Sequence, residues 1–252
     1  MTVRFANGSI VPSDALAREG KQLSLTALMR SCTHELHRRA EGSGIVNDVL
    51  RCKATRHSYA LLLRNLLPAY EQLEAGLELY RRMPQVCAAA RRELYRASAI
   101  RSDLRALAGK EWESALALLP SGKDYARRVA AAAKHNGAGL IAHAYTRYCG
   151  DLSGGQILKR LLAQAPGLRP HELSFYDFPQ IPNPEEFKQQ YRQAIDACAL
   201  AIDDLSSIVA EAMVAFELNI ALSEEVQRVS REVAQPQMPP FGAAVHARRS
   251  PA

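Results

Sequence analysis

Residues 145–156 read YTRYCGDLSGGQ and place three glycines, Gly150, Gly154 and Gly155, inside an otherwise helical pattern. Glycine in a helix interior costs about 1 kcal/mol relative to alanine, so three of them call for a reason. Because glycine has no Cβ, a flat or bulky ligand can lie directly against the backbone, and the helix can bend. The carboxylate of Asp151 lies among them. We therefore expect this helix to form one wall of a site for a planar cofactor.

Apolar residues recur with helical spacing over most of the chain, which predicts a single all-α domain. No strand-like alternation exceeds four residues, and no internal repeat is found. The predicted helices span residues 24–42, 57–82, 88–107, 110–118, 123–134, 138–165, 184–199 and 205–233. Residues 166–182 are expected to be irregular. The helical domain is expected to cover 23–233, after a loose arm over 1–22 and before a disordered, proline-rich and basic tail over 234–252.

Composition narrows the class of protein. The chain has 252 residues, of which 48% are hydrophobic, and no apolar run of eighteen, so we expect a sizeable core and no membrane span. The first residues lack the apolar core of a signal peptide, so a cytoplasmic protein is expected. Five scattered cysteines without a C-x-x-C pair favour reduced thiols over disulfides or zinc. The net charge of +6 comes without a nucleic-acid motif, so we expect no nucleic-acid partner.

Four basic or imidazole side chains could bind a ligand. Arg30 and His37 share one face of the first predicted helix, where an imidazole could bind a metal beside a cation that meets an acid group. Lys188 and Arg192, at i and i+4, could together hold carboxylates. Each also has an ordinary explanation, because a single helical histidine is more often a surface or core residue and exposed cations are more often simply solvated.

A second group of polar residues is set in apolar patterns. Tyr70, Tyr145, Arg147 and Asn219 could each be a core polar residue with its hydrogen bonds satisfied. Arg147 and Asp151 are four residues apart on the glycine-containing helix, so they could also form a purely structural ion pair.

Taken together, these stretches resemble the haem oxygenase family. Residues 142–156, AHAYTRYCGDLSGGQ, are similar to the family's distal-helix signature over a long ungapped match. Residues 187–192 (FKQQYR) and 215–220 (AFELNI) resemble further family motifs in the right order, and 36–41 (LHRRAE) resembles the proximal-helix motif. The similarity covers about residues 26–230. It implies an all-α haem oxygenase-like fold, with haem between a proximal helix and a glycine-kinked distal helix.

The resemblance also implies residue roles. His37 matches the proximal iron ligand, and Arg30, Lys188 and Arg192 match the residues that face the haem propionates, with Tyr145 nearby. Asp151 matches a distal acid that holds a water chain rather than binding iron. The remaining implied site residues are the members of its polar network, Tyr70, Arg147 and Asn219, and the expected haem contacts Gly150, Ser153, Gly154, Gly155 and Phe216.

The implied activity is oxidative cleavage of haem, both cofactor and substrate, to biliverdin, carbon monoxide and ferrous iron. It implies O2 and an acidic electron donor such as ferredoxin or flavodoxin with its reductase. Two alternatives stay open: a non-catalytic haem carrier or sensor on the same fold, and a thiamine-degrading type of enzyme with Cys149 as nucleophile. Cys149 and Arg30 depart from the family pattern, which often has leucine and lysine at these positions, and Pro68 is expected to kink its helix and to shift Tyr70.

Overall fold

The computed structural model describes residues 2–4, 10–12 and 24–234, and over 24–234 the fold is all-α. Its helices are α1 Leu25–Gly42, α2 Gly44–Leu50, α3 Arg56–Leu79, α4 Ala97–Ala108, α5 Trp112–Ala115, α6 Pro120–Ala132, α7 Leu140–Leu162, α8 Pro184–Cys198 and α9 Leu205–Ala234. Two three-residue strands, β1 Thr2–Arg4 and β2 Ile10–Pro12, pair antiparallel with Val3 opposite Val11. The rest of the predicted arm and tail lies outside the described residues.

Several helices begin where local sequence signals place them. The Ser24 side chain accepts a hydrogen bond from the Ala27 amide and caps α1. Thr55 forms a capping box with Ser58 at the start of α3. Asn183 caps α8, which starts with a proline and two acids, as its sequence predicts.

Three predicted helices have different bounds in the structure, and one helix was not expected. The helix predicted over 88–107 begins only at Ala97, because the preceding residues form turns and the short 3-10 helix Arg92–Leu94. The helix predicted over 110–118 is reduced to α5. The helix predicted over 123–134 begins earlier, at Pro120, a position where the missing amide proton costs nothing. The short helix α2 was not expected.

Pro68 leaves α3 unbroken. The helix runs continuously from Arg56 to Leu79 with Pro68 inside it, and Tyr70 is fully buried two residues later. The neighbouring helices α4, α6 and α9 pack along α3 and hold it in place. Tyr70 reaches Asp151 of α7 from this helix, and the expected shift of Tyr70 stays a prediction.

Helices α1 and α7 are connected mainly through their neighbours. Helix α9 packs against α1, α2, α3, α6 and α7, and helices α2 and α8 each pack against both α1 and α7. Direct packing between α1 and α7 is slight by comparison. We call these two helices, which carry the candidate iron ligand and the glycine-rich motif, the two walls of the candidate site.

The irregular connection predicted over 166–182 is confirmed and supports α7. It contains the short 3-10 helices Pro170–Glu172 and Ser174–Tyr176. The buried Asp103 carboxylate accepts hydrogen bonds from the backbone amides of Ser174 (3.0 Å) and Phe175 (2.8 Å). Gln156 of α7 donates to the Tyr176 carbonyl at 2.9 Å, so this connection is tied to the middle of α7.

One helix in the described part of the chain is long and apolar enough to cross a membrane. It is Leu205–Val233, with a mean hydropathy of 1.6 in its most apolar 18-residue window. This segment belongs to α9, and 44% of that window is buried in the fold. The expectation that no segment spans a membrane stays a prediction.

Candidate functional site

A buried polar cluster forms where α3, α7 and α9 meet. The Tyr70 hydroxyl donates a hydrogen bond to Asp151 Oδ2, and Arg147 Nη2 donates to Asp151 Oδ1 at 3.3 Å. Arg147 also donates from Nε to the Tyr70 oxygen at 2.9 Å and from Nη1 to Asn219 Oδ1 at 2.6 Å. Three helices thus bring together the four residues that the sequence singled out as a network, although they span about 150 positions.

Burial and the neighbouring charges shift the pKa values of three side chains in this cluster. Burial raises the pKa of the Asp151 carboxyl, and the charge of Arg147 and the Tyr70 hydroxyl offset part of that rise. Burial raises the pKa of Tyr70 well above its usual value, so the phenol stays protonated and acts as a donor. Burial alone lowers the pKa of Arg147, but Tyr70 and Asp151 outweigh it, so the guanidinium stays charged.

The three glycines of α7 have different surroundings. Gly150 and Gly154, one turn apart, are exposed, and a Cβ at either position would meet no heavy atom within 4 Å. A Cβ at Gly155 would lie 3.0 Å from the Tyr176 ring. Gly150 and Gly154 therefore form a bare strip on the open side of α7, whereas Gly155 is explained by packing inside the fold. The helix remains continuous through all three.

His37 lies on the opposite wall, on α1. Its imidazole is exposed, with 57% of the side-chain surface accessible, and Nδ1 lies 3.6 Å from Glu41 Oε1. The ring of Phe216 from α9 lies 5.9 Å from the imidazole, centroid to centroid. Phe216 packs with Ala40 and Ile220 in a small apolar cluster at this end of α1. His37 and Phe216, predicted separately as iron ligand and haem contact, are thus brought together by α1 and α9.

The predicted cations gather around Tyr145. Burial raises the pKa of the Tyr145 phenol, and Arg192 and Arg30 lie close enough to oppose that rise. Lys188 is buried and donates from Nζ to Ser153 Oγ of α7 at 3.0 Å and to Glu185 Oε1 at 2.7 Å. Lys188 is therefore already paired with a carboxylate, while Arg30 is exposed beside an open cleft of about 470 Å³.

Sequence reasoning missed several groups around Asp151. Arg96 is buried, stacks on the Phe178 ring at 4.3 Å and donates to the Asp177 carbonyl. Tyr125 is buried close enough to Arg147 and Asp151 for both charges to act on its phenol. The Tyr148 hydroxyl is buried and has no hydrogen-bond partner among the described residues. No single-residue signal marks these positions, because their role depends on side chains brought together from distant parts of the chain.

The fold and this geometry can be compared with known proteins. The family model described as "Heme oxygenase" matches residues 23–225. The chain belongs to the haem oxygenase family. Heme oxygenase 1 of Rattus norvegicus is 33% identical over 218 residues, covering 85% of this chain and 75% of the rat protein. Heme oxygenase 1 of Nostoc is 34% identical over 207 residues, covering 81% and 86%.

Solved haem oxygenase structures have the same fold. The crystal structure of heme oxygenase-1 from the cyanobacterium Synechocystis in complex with heme matches with a TM-score of 0.78 at 32% identity, covering 84% of this chain and 96% of that one. Heme oxygenase from Leptospira interrogans matches with a TM-score of 0.73 at 34% identity, covering 80% and 99%. The family and fold implied by the sequence are confirmed: this member is a haem-degrading oxidoreductase, for which haem is substrate and prosthetic group.

Proposed function

We propose that the space between α1 and α7 is the haem site, in which haem is cleaved to biliverdin, carbon monoxide and ferrous iron with O2 and external electrons. The observation that carries this assignment is the bare strip formed by Gly150 and Gly154 beside the buried Asp151 cluster. Two exposed glycines in a helix cost stability and fill no local packing need. A flat partner lying against the backbone accounts for them.

His37 would hold the iron, with Phe216 packed beside its ring. An imidazole that reaches solvent from α1 can bind a metal, since its nitrogens are not enclosed by the fold. When bound, the iron supplies the chemistry with O2, and the porphyrin supplies the carbon that is oxidised. With His37 as the single protein ligand, the iron would keep a position free for O2.

Asp151 would hold and pass protons on the α7 side. Its Oδ2 atom is fixed by the Tyr70 hydroxyl and its Oδ1 atom by Arg147, so the carboxyl cannot swing freely. Burial raises its pKa, which makes proton uptake by this carboxyl easier than by an exposed aspartate. Arg147, Tyr70 and Asn219 would keep that carboxyl and its waters in place.

Arg30, Lys188 and Arg192 would meet the two propionates and orient the ring, with Tyr145 between them. Ser153 supports this role, because it anchors the Lys188 ammonium to α7. Charge-assisted hydrogen bonds of this kind contribute about 1.5–3 kcal/mol each before solvent screening is considered. The Lys188 ammonium would have to bind a propionate in competition with Glu185, whose Oε1 atom lies 2.7 Å from Lys188 Nζ.

Two other functions are less well supported. A haem carrier or sensor would not need the buried Asp151 cluster beside the bare strip. A nucleophilic Cys149 is disfavoured, because burial raises the pKa of its thiol to about 11 despite the opposing charges of Arg192 and Lys188.

The test is to add hemin, then a reductant under air, and to record the absorption spectrum. A Soret band that is replaced by a bilin band supports haem cleavage. A Soret band that persists would support the carrier or sensor. Failure to form any Soret band would contradict a haem site altogether.

The proposed physiological partner is an acidic electron donor, ferredoxin or flavodoxin with its reductase, and the proposed compartment is the cytoplasm. The net charge of +6 supports attraction to an acidic protein. The exposed residues of α1 include Arg30, Arg38 and Arg39, so part of this positive charge lies on the wall that carries His37.

A further inference from the structure

A carboxylate outside the expected haem contacts joins α8 to the start of α1. Asp196, on α8, accepts hydrogen bonds from the backbone amide of Thr26 (2.8 Å) and from the Thr26 hydroxyl (3.0 Å). Thr26 is buried in the first turn of α1, whose unpaired amides favour a negative charge. The two residues are 170 positions apart, so this contact fixes one helix against another rather than shaping a local turn.

Asp196 lies on the same face of α8 as two of the predicted propionate-binding cations. Lys188, Arg192 and Asp196 follow each other at four-residue intervals and so share one face of α8. Lys188 reaches Ser153 on α7 at one end of this row, and Asp196 reaches α1 at the other. Arg192 lies between these two contacts. The three residues of α8 therefore connect α7 to α1 beside the predicted propionate-binding cations.

Helix α8 supplies the long-range polar contact to the start of α1. Helices α1 and α7 pack only slightly on each other, and α2 and α9 pack against both of them. Arg30 is one turn beyond Thr26 on α1, so it moves with that residue. His37 is eleven residues beyond Thr26, about 16 Å along the helix, and its neighbour Phe216 belongs to α9. A change at Asp196 would therefore displace Arg30 more than His37.

We propose that Asp196 is a positioning residue that sets the placement of Arg30 relative to Arg192, and thereby determines which carbon of the porphyrin is attacked. This inference rests on the proposed haem site. The Asp196 carboxylate does not need to touch haem. It acts through Thr26, by holding the start of α1 against α8.

The test compares the full chain with Asp196→Ala, Asp196→Asn and Thr26→Val. In the haem-free protein, Asp196→Ala should speed amide exchange over residues 24–30 roughly tenfold, as expected for losing two hydrogen bonds. With haem, reductant and O2, its ratio of bilin isomers should change, while the Soret position should stay the same because His37 is not displaced. Asp196→Asn can keep both contacts with Thr26, because its amide oxygen can accept from the backbone and its NH2 group can donate to the hydroxyl, so it should restore most of the wild-type isomer ratio.

Glu225→Ala is the matched control. Glu225 of α9 accepts a hydrogen bond from the Ser121 amide in the first turn of α6 at 2.9 Å, so it also joins a carboxylate to the start of another helix. Exchange at the start of α6 should rise in this variant, with an unchanged isomer ratio. If Asp196 were only a helix cap without influence on the site, Asp196→Ala would likewise speed amide exchange and leave the isomer ratio unchanged.

An unchanged isomer ratio in a folded, haem-binding Asp196→Ala protein would overturn the proposal. If that variant does not fold, Thr26→Val decides, since it removes only the hydroxyl contact: a changed ratio supports the proposal and a wild-type ratio overturns it. Absence of any bilin from the wild-type protein would instead contradict the proposed function, whatever the exchange rates at α1.

Discussion

Replacing Gly154 by alanine should make the haem-free protein more stable and its haem binding weaker. The backbone of Gly154 is helical, its φ is not positive, and a Cβ there would meet no heavy atom within 4 Å. Alanine in a helix interior is favoured over glycine by about 0.8–1.0 kcal/mol. For a chain of this size, that gain corresponds to a rise in Tm of roughly 2–4 °C.

The same methyl group would project into the proposed haem site. A ring that lies directly on the bare strip would have to move away or be compressed, and overpacking of this kind typically costs about 1–3 kcal/mol. Haem binding should therefore weaken by a factor of roughly 5 to 150. The assays are thermal unfolding of the haem-free protein, followed by far-UV circular dichroism, and titration with hemin followed at the Soret band.

Gly155→Ala provides the internal comparison. Its Cβ would lie 3.0 Å from the Tyr176 ring, so the propensity gain should be offset by steric compression. We expect Gly154→Ala to make the haem-free protein more stable and to weaken haem binding. Gly155→Ala should not make the protein more stable. The reasoning is refuted if Gly154→Ala binds haem as tightly as the wild type, because the strip would then not face the ring.

Four further outcomes are expected. His37→Ala should take up haem weakly and lose turnover, with partial recovery on adding imidazole; a wild-type Soret band and rate would mean that another residue binds the iron. Alanine at both Lys188 and Arg192 should weaken haem binding and broaden a product distribution that we expect to be mainly the alpha isomer, whereas an unchanged distribution would make them surface charges only. Asp151→Ala should bind haem but give a low bilin yield per bound haem; normal yield with lowered thermal stability would leave Asp151 as half of a structural ion pair with Arg147. Turnover driven by an acidic donor protein should fall with salt, as the Debye length shortens from about 10 Å at 0.1 M to 3 Å at 1 M, while ascorbate-driven turnover should not; a flat profile with every acidic donor would exclude this docking.

The sequence by itself determined the helical class, most of the helices and the members of the Asp151 cluster. Helix starts such as Ser24 and Asn183 follow from capping residues within a few positions of the helix, so short-range signals suffice. Residue types and their order identified the family, because the motif over 142–156 is long and ungapped.

The tertiary structure decided which neighbours each residue meets. Helix α4 begins at Ala97 because the Glu74 carboxylate accepts from the amides of Arg96 (2.5 Å) and Ala97 (2.9 Å), a cap supplied from another helix. Gly154 and Gly155 are adjacent in sequence, yet one faces open space and the other the Tyr176 ring. Periodicity and capping act over a few residues, whereas these contacts join positions that only the packing of whole helices brings together.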